Sequence, residues 1–160
     1  MKNIFRDICR GETEYLMKLP EFQSLILQWF TVLTEGKDRE ERCHVILDVL
    51  DLIMQGSYGM HNRAYLLLAL EPFFTEHSDL CKTDLRNFLD DFCVWTPDGE
   101  NEQVDDRESH AKLVLSMVIR IYGKDQTLKL VCEMGRDGDT LAHKAARCGF
   151  FSLLLDELIG

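Results

Sequence analysis

Helical periodicity runs through almost the whole chain and limits what it can fold into. Apolar residues recur at spacings of three and four, as on one face of an α-helix, and no segment alternates convincingly enough to predict a strand. At 160 residues, the chain is long enough to bury a substantial core. The pattern therefore predicts one all-α domain, 1–160.

Local signals indicate where several helices begin and end. Pro20 suits the first turn of one helix, and Asp38 followed by Glu41 has the spacing of a capping box that starts the next. Pro72 must stop or bend an apolar helix over 63–70, because proline lacks the amide donor and clashes with the preceding turn. Further helices are predicted at about 83–94, 107–122, 125–133, 141–148 and 151–159.

The clearest interruption is the acidic segment 96–106, which begins with the turn-forming letters TPDG. A helix-loop-helix calcium site counted from Asp98 would need glycine at its sixth position and glutamate at its twelfth, but Gln103 and Ser109 stand there. We therefore expect an exposed, solvated loop. It separates a divergent helical part, 1–95, from a C-terminal part, 107–160.

Charge and composition exclude several classes of protein. The 28 acidic residues outnumber the 18 basic ones, giving a net charge of −10 that disfavours nucleic-acid binding. No apolar run approaches the roughly 20 residues of a membrane helix, and the N-terminus lacks the apolar stretch of a secretory signal. The six cysteines are scattered and fit free thiols in a reducing compartment. We expect a cytoplasmic protein that also has access to the nucleus.

Chemical motifs are weak throughout the chain. The adjacent carboxylates of Asp90 and Asp91 diverge on a helix and make a poor acid–base pair. His77 and Cys81 share a helical face or turn, but no second pair lies at zinc-ligand spacing. Phosphate loops, GxSxG and HExxH are lacking. The sequence predicts no catalytic residue, no metal site and no cofactor.

The most informative segment is 137–149, DGDTLAHKAARCG. Its aspartate and first glycine suit a tight turn, and its threonine can cap a helix and reach the histidine. Its paired alanines allow helices to approach closely. Its last glycine permits a left-handed turn before a second helix. The residues in question are Asp137, Gly138, Thr140, His143, Ala145, Ala146 and Gly149. This pattern resembles the start of an ankyrin repeat.

The resemblance covers about two dozen residues at the C-terminus and is incomplete. Leu141 stands where the family has proline, and Ala142 where it has leucine. Upstream, Gly123 precedes Gly149 by 26 positions, where this family repeats at about 33. The fold is therefore expected to be either a divergent ankyrin-like solenoid of stacked helical hairpins or a helical bundle that carries one ankyrin-like hairpin.

The resemblance implies a binding scaffold without catalysis, because ankyrin hairpins contact partner proteins through their turns and concave face. The candidate contact residues are Met134, Arg136, Asp139, Asp98 and Glu100. The expected partner is another protein, such as a transcription factor or signalling protein. In style the chain is similar to the inhibitor-of-NF-κB-like proteins of some viruses, which sequester a host transcription factor. Two alternatives stay open: a death-domain or apoptosis-regulator-like helical bundle with a groove for a partner helix, and an unrecognised enzyme.

The last helix raises a further expectation about assembly. Leu153, Leu154, Leu155, Leu158 and Ile159 cannot all face inward on one helix. An outer apolar face is therefore predicted. It would pack against residues 1–60, against sequence outside this chain, or against a second copy in a homo-oligomer.

Overall fold

Helices joined by short turns make up the described part of the computed structural model, which covers residues 19–54, 60–94, 104–135 and 137–160. No strand occurs within these ranges, so the all-α prediction is confirmed there. The helices are α1 (Pro20–Leu33), α2 (Arg39–Met54), α3 (Met60–Ala69), α4 (Glu71–Glu76), α5 (Lys82–Val94), α6 (Val104–Tyr122), α7 (Lys124–Cys132), α8 (Leu141–Cys148) and α9 (Phe151–Leu158).

Two compact units divide the chain between Cys81 and Lys82. The sequence pattern instead predicts the boundary between the two parts at the acidic segment 96–106. Residues 96–103 of that segment lie outside the described ranges, and 104–106 already belong to α6. Helix α5, grouped above with the N-terminal part, belongs to the second unit because it packs against α6 and α8. Periodicity cannot reveal such non-local packing.

The first unit shows how local signals set helix boundaries. Pro20 is the first residue of α1, and the Asp38 carboxylate caps α2 by accepting a hydrogen bond from the Glu41 amide at 2.9 Å. Pro72 lies in the first turn of α4, where it needs no amide donor, and the preceding helix ends at Ala69. The break predicted at this proline is confirmed.

Apolar side chains from each helix of the first unit form its core. Helix α1 contributes Ile26 and Phe30, and α3 packs against both α1 and α4. Helices α2 to α4 contribute the buried residues Cys43, Ile46, Leu47, Leu50, Ala64, Leu66, Leu67, Ala69, Phe73 and Phe74. These side chains hold together helices that are too short to be stable alone in water.

The second unit is built around α8, which packs against α5, α7 and α9. Its buried apolar side chains among the described ones are Leu141 and Ala145, and the small Ala145 lets neighbouring backbones approach. Helices α5, α6, α7 and α9 supply further buried apolar side chains, namely Leu85, Phe88, Leu89, Ala111, Val114, Leu115, Met117, Val118, Leu130, Val131, Leu153, Leu154 and Leu158. The turn that precedes α8 is thereby held on a packed scaffold.

Removal of the α2 cap tests the boundary at Asp38. Asp38→Ala leaves the Glu41 amide without its acceptor and should lower the free energy of unfolding by about 1 kcal/mol, measured by urea denaturation. Asp38→Asn should retain most of the stability, because asparagine also caps. Asp48→Ala, an exposed carboxylate further along α2, should change stability by less than about 0.5 kcal/mol. An equal loss in both alanine variants would contradict the capping role.

Candidate functional site

A tight turn connects α7 to α8 in the second unit. We call its described residues, 133–135 and 137–140, the α7–α8 turn. Met134 and Thr140 form an isolated antiparallel bridge at its base. Within it, the Gly135 amide donates to the Asp139 carbonyl at 2.8 Å, and the Gly138 amide donates to the Gly135 carbonyl at 3.1 Å. The turn is therefore a small hydrogen-bonded hairpin.

The residue types of the turn explain its shape. Gly138 has φ +83°, a left-handed conformation that side chains with a Cβ rarely adopt. The Asp137 carboxylate accepts a hydrogen bond from the Asp139 amide at 3.3 Å, which closes a local turn typical of aspartate. The tight turn expected of the aspartate–glycine pair is formed by these contacts.

Helix α8 is capped at both ends by residues of the ankyrin-like segment. The Thr140 hydroxyl accepts from the His143 amide at 3.2 Å, and the Thr140 amide donates to the His143 ring nitrogen Nδ1 at 3.4 Å, which completes a capping box. At the other end Gly149 is left-handed, and the Phe150 amide donates to the Ala145 carbonyl at 2.8 Å. Helix α8 thus begins and ends at the residues that the sequence indicates.

The largely buried side chain of Lys144 ties the turn to α5. The Nζ atom of Lys144 lies 2.8 Å from Asp90 Oδ2 and 2.8 Å from Asp137 Oδ2. These hydrogen bonds, the one to Asp137 first, raise the pKa of Lys144 above its ordinary value, and the bond from Lys144 lowers the pKa of Asp137. One side chain on α8 therefore connects the turn with a helix more than fifty positions earlier in the chain.

Arg86 of α5 holds the other side of the turn. Its buried guanidinium donates from Nη2 to the Glu133 carbonyl at 2.8 Å and from Nε to the Leu130 carbonyl at 3.4 Å. These carbonyls lie at the C-terminal end of α7, where the helix leaves acceptors unpaired and a cation is favourable. Arg86 therefore holds the start of the turn at Glu133, and Lys144 holds its later part at Asp137.

Met134 is the most exposed large apolar side chain of the described residues. It is 72% exposed, although its backbone takes part in the bridge to Thr140. Around it lie exposed acidic groups, Glu133 and Asp137. A flexible, polarizable side chain on a constrained backbone is well suited to contact an apolar pocket of another molecule.

The remaining predicted contact and motif residues are distributed unevenly. Asp139 is half-buried, and its carboxylate already pairs with Arg147, so it is less available to contact a partner than the sequence predicts. Arg136, Asp98 and Glu100 lie outside the described residues. Ala145 is buried, whereas Ala146 is exposed, so the close helix approach expected of both alanines occurs at Ala145 alone.

Sequence reasoning missed the residues that brace the turn. Lys144 falls at a variable position of the ankyrin-like motif, and Asp90 was considered only as part of an adjacent carboxylate pair. No local spacing connects them, because 54 positions separate the two residues. The neighbours of Lys144 within α8, His143 and Ala145, give no signal that its side chain is buried and paired.

A second apolar surface runs along the outer side of α9. Phe151, Leu155 and Ile159 are exposed at successive turns of this helix, while Leu154 and Leu158 face the core. The apolar outer face that the sequence predicts is therefore present. Spacings of four place its three residues in one stripe.

Comparison with known proteins finds no relative of this chain. No protein-family model matches the chain, and no curated protein and no solved structure matches it either. Within the described ranges, no group of three or more histidine, cysteine or acidic side chains could hold a metal ion. No described helix is long and apolar enough to cross a membrane. Arguments about function therefore depend on the chain's own residues.

Replacement of Lys144 by methionine tests the brace. Lys144→Met leaves the carboxylates of Asp90 and Asp137 without their cation and should lower the free energy of unfolding by about 1–3 kcal/mol. Lys129→Met, at an exposed lysine of α7, is the matched control and should be near neutral. Equal stability of the two variants in urea denaturation would rule out the brace.

The stability that Lys144 and Asp137 contribute should depend on pH. The pKa of Lys144 is raised on folding, so its contribution is present below its unfolded value of about 10.4 and is lost as the pH rises through the folded value. The pKa of Asp137 is lowered, so its contribution is present above about pH 3.9 and is lost as the pH falls through the folded value. The stability difference between wild type and Lys144→Met should be largest between about pH 5 and 9, and a flat difference from pH 2 to 11 would contradict this.

Proposed function

We propose that this chain is a non-catalytic protein-interaction module that binds a partner through the α7–α8 turn. The observation that carries the proposal is Met134, a large apolar side chain that is 72% exposed on a turn braced by Arg86 and Lys144. Exposing such a side chain to water brings no folding stability. A bound partner would bury it.

Hydrogen bonds that constrain the described part of the turn support binding over a passive surface role. The Gly135 and Gly138 amides donate to backbone carbonyls, and Thr140 caps α8, without a contribution from any partner. A preorganised contact loses less conformational entropy on association than a flexible one. The same logic explains why binding residues commonly lie on turns held by a rigid scaffold.

Charge narrows the chemistry of the partner. Glu133 and Asp137 flank Met134, and the chain as a whole carries a net charge of −10. A partner with an apolar pocket rimmed by lysine or arginine would complement both features, and opposite charge would speed its association. We infer a basic protein surface as the target.

We further propose that α8 and α9, with the α7–α8 turn before them, are a divergent ankyrin-like repeat. The capping box at Thr140, the left-handed Gly149 and the buried Ala145 support this, because they are the features that the ankyrin resemblance implies. In this reading the module would sequester or modulate a transcription factor or signalling protein in the cytoplasm or nucleus. An inhibitor-of-NF-κB-like role in host–virus interaction is the most specific form of the proposal.

A charge substitution at Met134 tests the interaction. The full chain and its Met134→Asp variant are used as tagged baits in cell lysate, with capture measured by quantitative mass spectrometry and binding repeated with the purified captured protein. Met134→Asp should weaken binding about 5- to 30-fold, because a central apolar anchor contributes about 1–2 kcal/mol or more. Circular dichroism should show unchanged helicity.

Leu25→Asp is the matched control, since Leu25 is also largely exposed but lies on α1 in the other unit. Its partners and affinities should equal those of the wild type. Loss of binding in both variants would indicate a non-specific effect of added charge. Undiminished binding by a folded Met134→Asp protein would exclude the α7–α8 turn as the contact surface.

A further inference from the structure

A cavity of about 160 Å3 lies in the first unit, lined by residues of α1, α2 and α4. Its walls are largely apolar and aromatic, with Phe30, Ile46 and Phe73 buried around it. Thr31 and Pro72 also line it and are themselves exposed, so the cavity reaches the surface. A molecule can therefore enter without unfolding the unit.

His77 lines this cavity and carries a ring nitrogen without a hydrogen-bond partner among the described residues. Its side chain is only 1% exposed, and its ring stacks on that of Phe73 with centroids 4.4 Å apart. Its Nδ1 atom lies 3.0 Å from the Phe73 carbonyl, which can only accept, so Nδ1 carries the hydrogen. Nε2 is left as an acceptor in the neutral ring. It is buried without a hydrogen-bond partner among the described residues.

Arg42 lines the same cavity and carries a donor group without a partner in the described part of the chain. Its Nε–H group is buried and also lacks a hydrogen-bond partner in the described ranges. The Thr34 hydroxyl nearby already donates to the Phe30 carbonyl at 2.8 Å and offers only lone pairs. The cavity thus combines one free donor, one free imidazole acceptor and aromatic walls.

Such a combination is unusual in a protein interior. Buried polar atoms almost always have hydrogen-bond partners, so two that lack them on one cavity indicate that something else occupies it. An engineered apolar cavity of about 150 Å3 in another protein binds benzene. The space here is therefore sufficient for one six-membered ring.

We propose that this cavity binds a phenol-type group, an aromatic ring that carries one hydroxyl. The hydroxyl donates its hydrogen to His77 Nε2 and accepts from the Arg42 Nε–H, while the ring packs against the aromatic side chains. A carboxylate fits less well, because it cannot donate a hydrogen bond to His77 and would lie near the acidic residue Glu76, which also lines the cavity. The hydroxyl is the smallest ring substituent that both donates and accepts.

Affinities of phenol and toluene, which lacks the hydroxyl, test the assignment on the full chain by ligand-observed NMR titration. The quantity compared is the toluene Kd divided by the phenol Kd. His77→Phe keeps a flat ring but removes the acceptor, so this ratio should fall about fivefold relative to the wild type, as expected for one net hydrogen bond. His44→Phe, at an exposed histidine of α2, should leave the ratio unchanged.

A free phenol and a tyrosine side chain carry the same chemistry, and a second titration separates the two sources. N-acetyl-tyrosinamide should bind alongside phenol if the cavity takes a tyrosine of another molecule, and phenol alone should bind if it takes a free compound.

Two results would overturn the proposal. One is that neither phenol nor toluene binds the wild type, which would leave a cavity that holds water only. The other is an unchanged ratio in folded His77→Phe. If that variant does not fold, the ratio is measured in Arg42→Met, which removes the Nε–H donor and keeps a long apolar chain. A toluene-to-phenol Kd ratio equal to that of the wild type in Arg42→Met would equally exclude the proposal.

Discussion

Burial of apolar helix faces is the constraint on which everything else in this chain depends. The described helices contain between 6 and 19 residues, and helices of this length are marginal in water unless a packed face stabilises them. The first unit supplies that face mainly through phenylalanine and leucine side chains, and the second through α8 and its three neighbours. The polar contacts of each unit are made by side chains that these packed helices hold in position.

In the second unit, polar contacts place the α7–α8 turn on the packed helices. Lys144 links Asp137 of the turn to Asp90 of α5, and Arg86 binds the carbonyls at the end of α7. The Lys144 side chain is 11% exposed, and two carboxylates balance its charge. These contacts hold the turn that carries the exposed Met134. The proposed function is placed there because a held backbone and an exposed apolar side chain coincide.

In the first unit, by contrast, two buried polar groups that line the cavity lack hydrogen-bond partners among the described residues. His77 is buried and stacks on Phe73, and both His77 and Arg42 leave one buried nitrogen without a partner among the described residues. Buried polar groups are otherwise paired almost everywhere in proteins. The proposed phenol-type ligand would supply a partner for both nitrogens.

Local chemistry let the sequence alone determine much of the helical framework. Pro20, Asp38 and Pro72 mark helix boundaries because the proline ring and the capping carboxylate act on the backbone within one turn. The ends of α8 at Thr140 and Gly149 follow for the same reason. Only the tertiary structure decided that α5 joins the second unit, that Lys144 meets Asp90, and that His77 faces a cavity. These contacts join residues far apart in the chain or depend on how neighbouring helices pack, and helical periodicity carries no information about either.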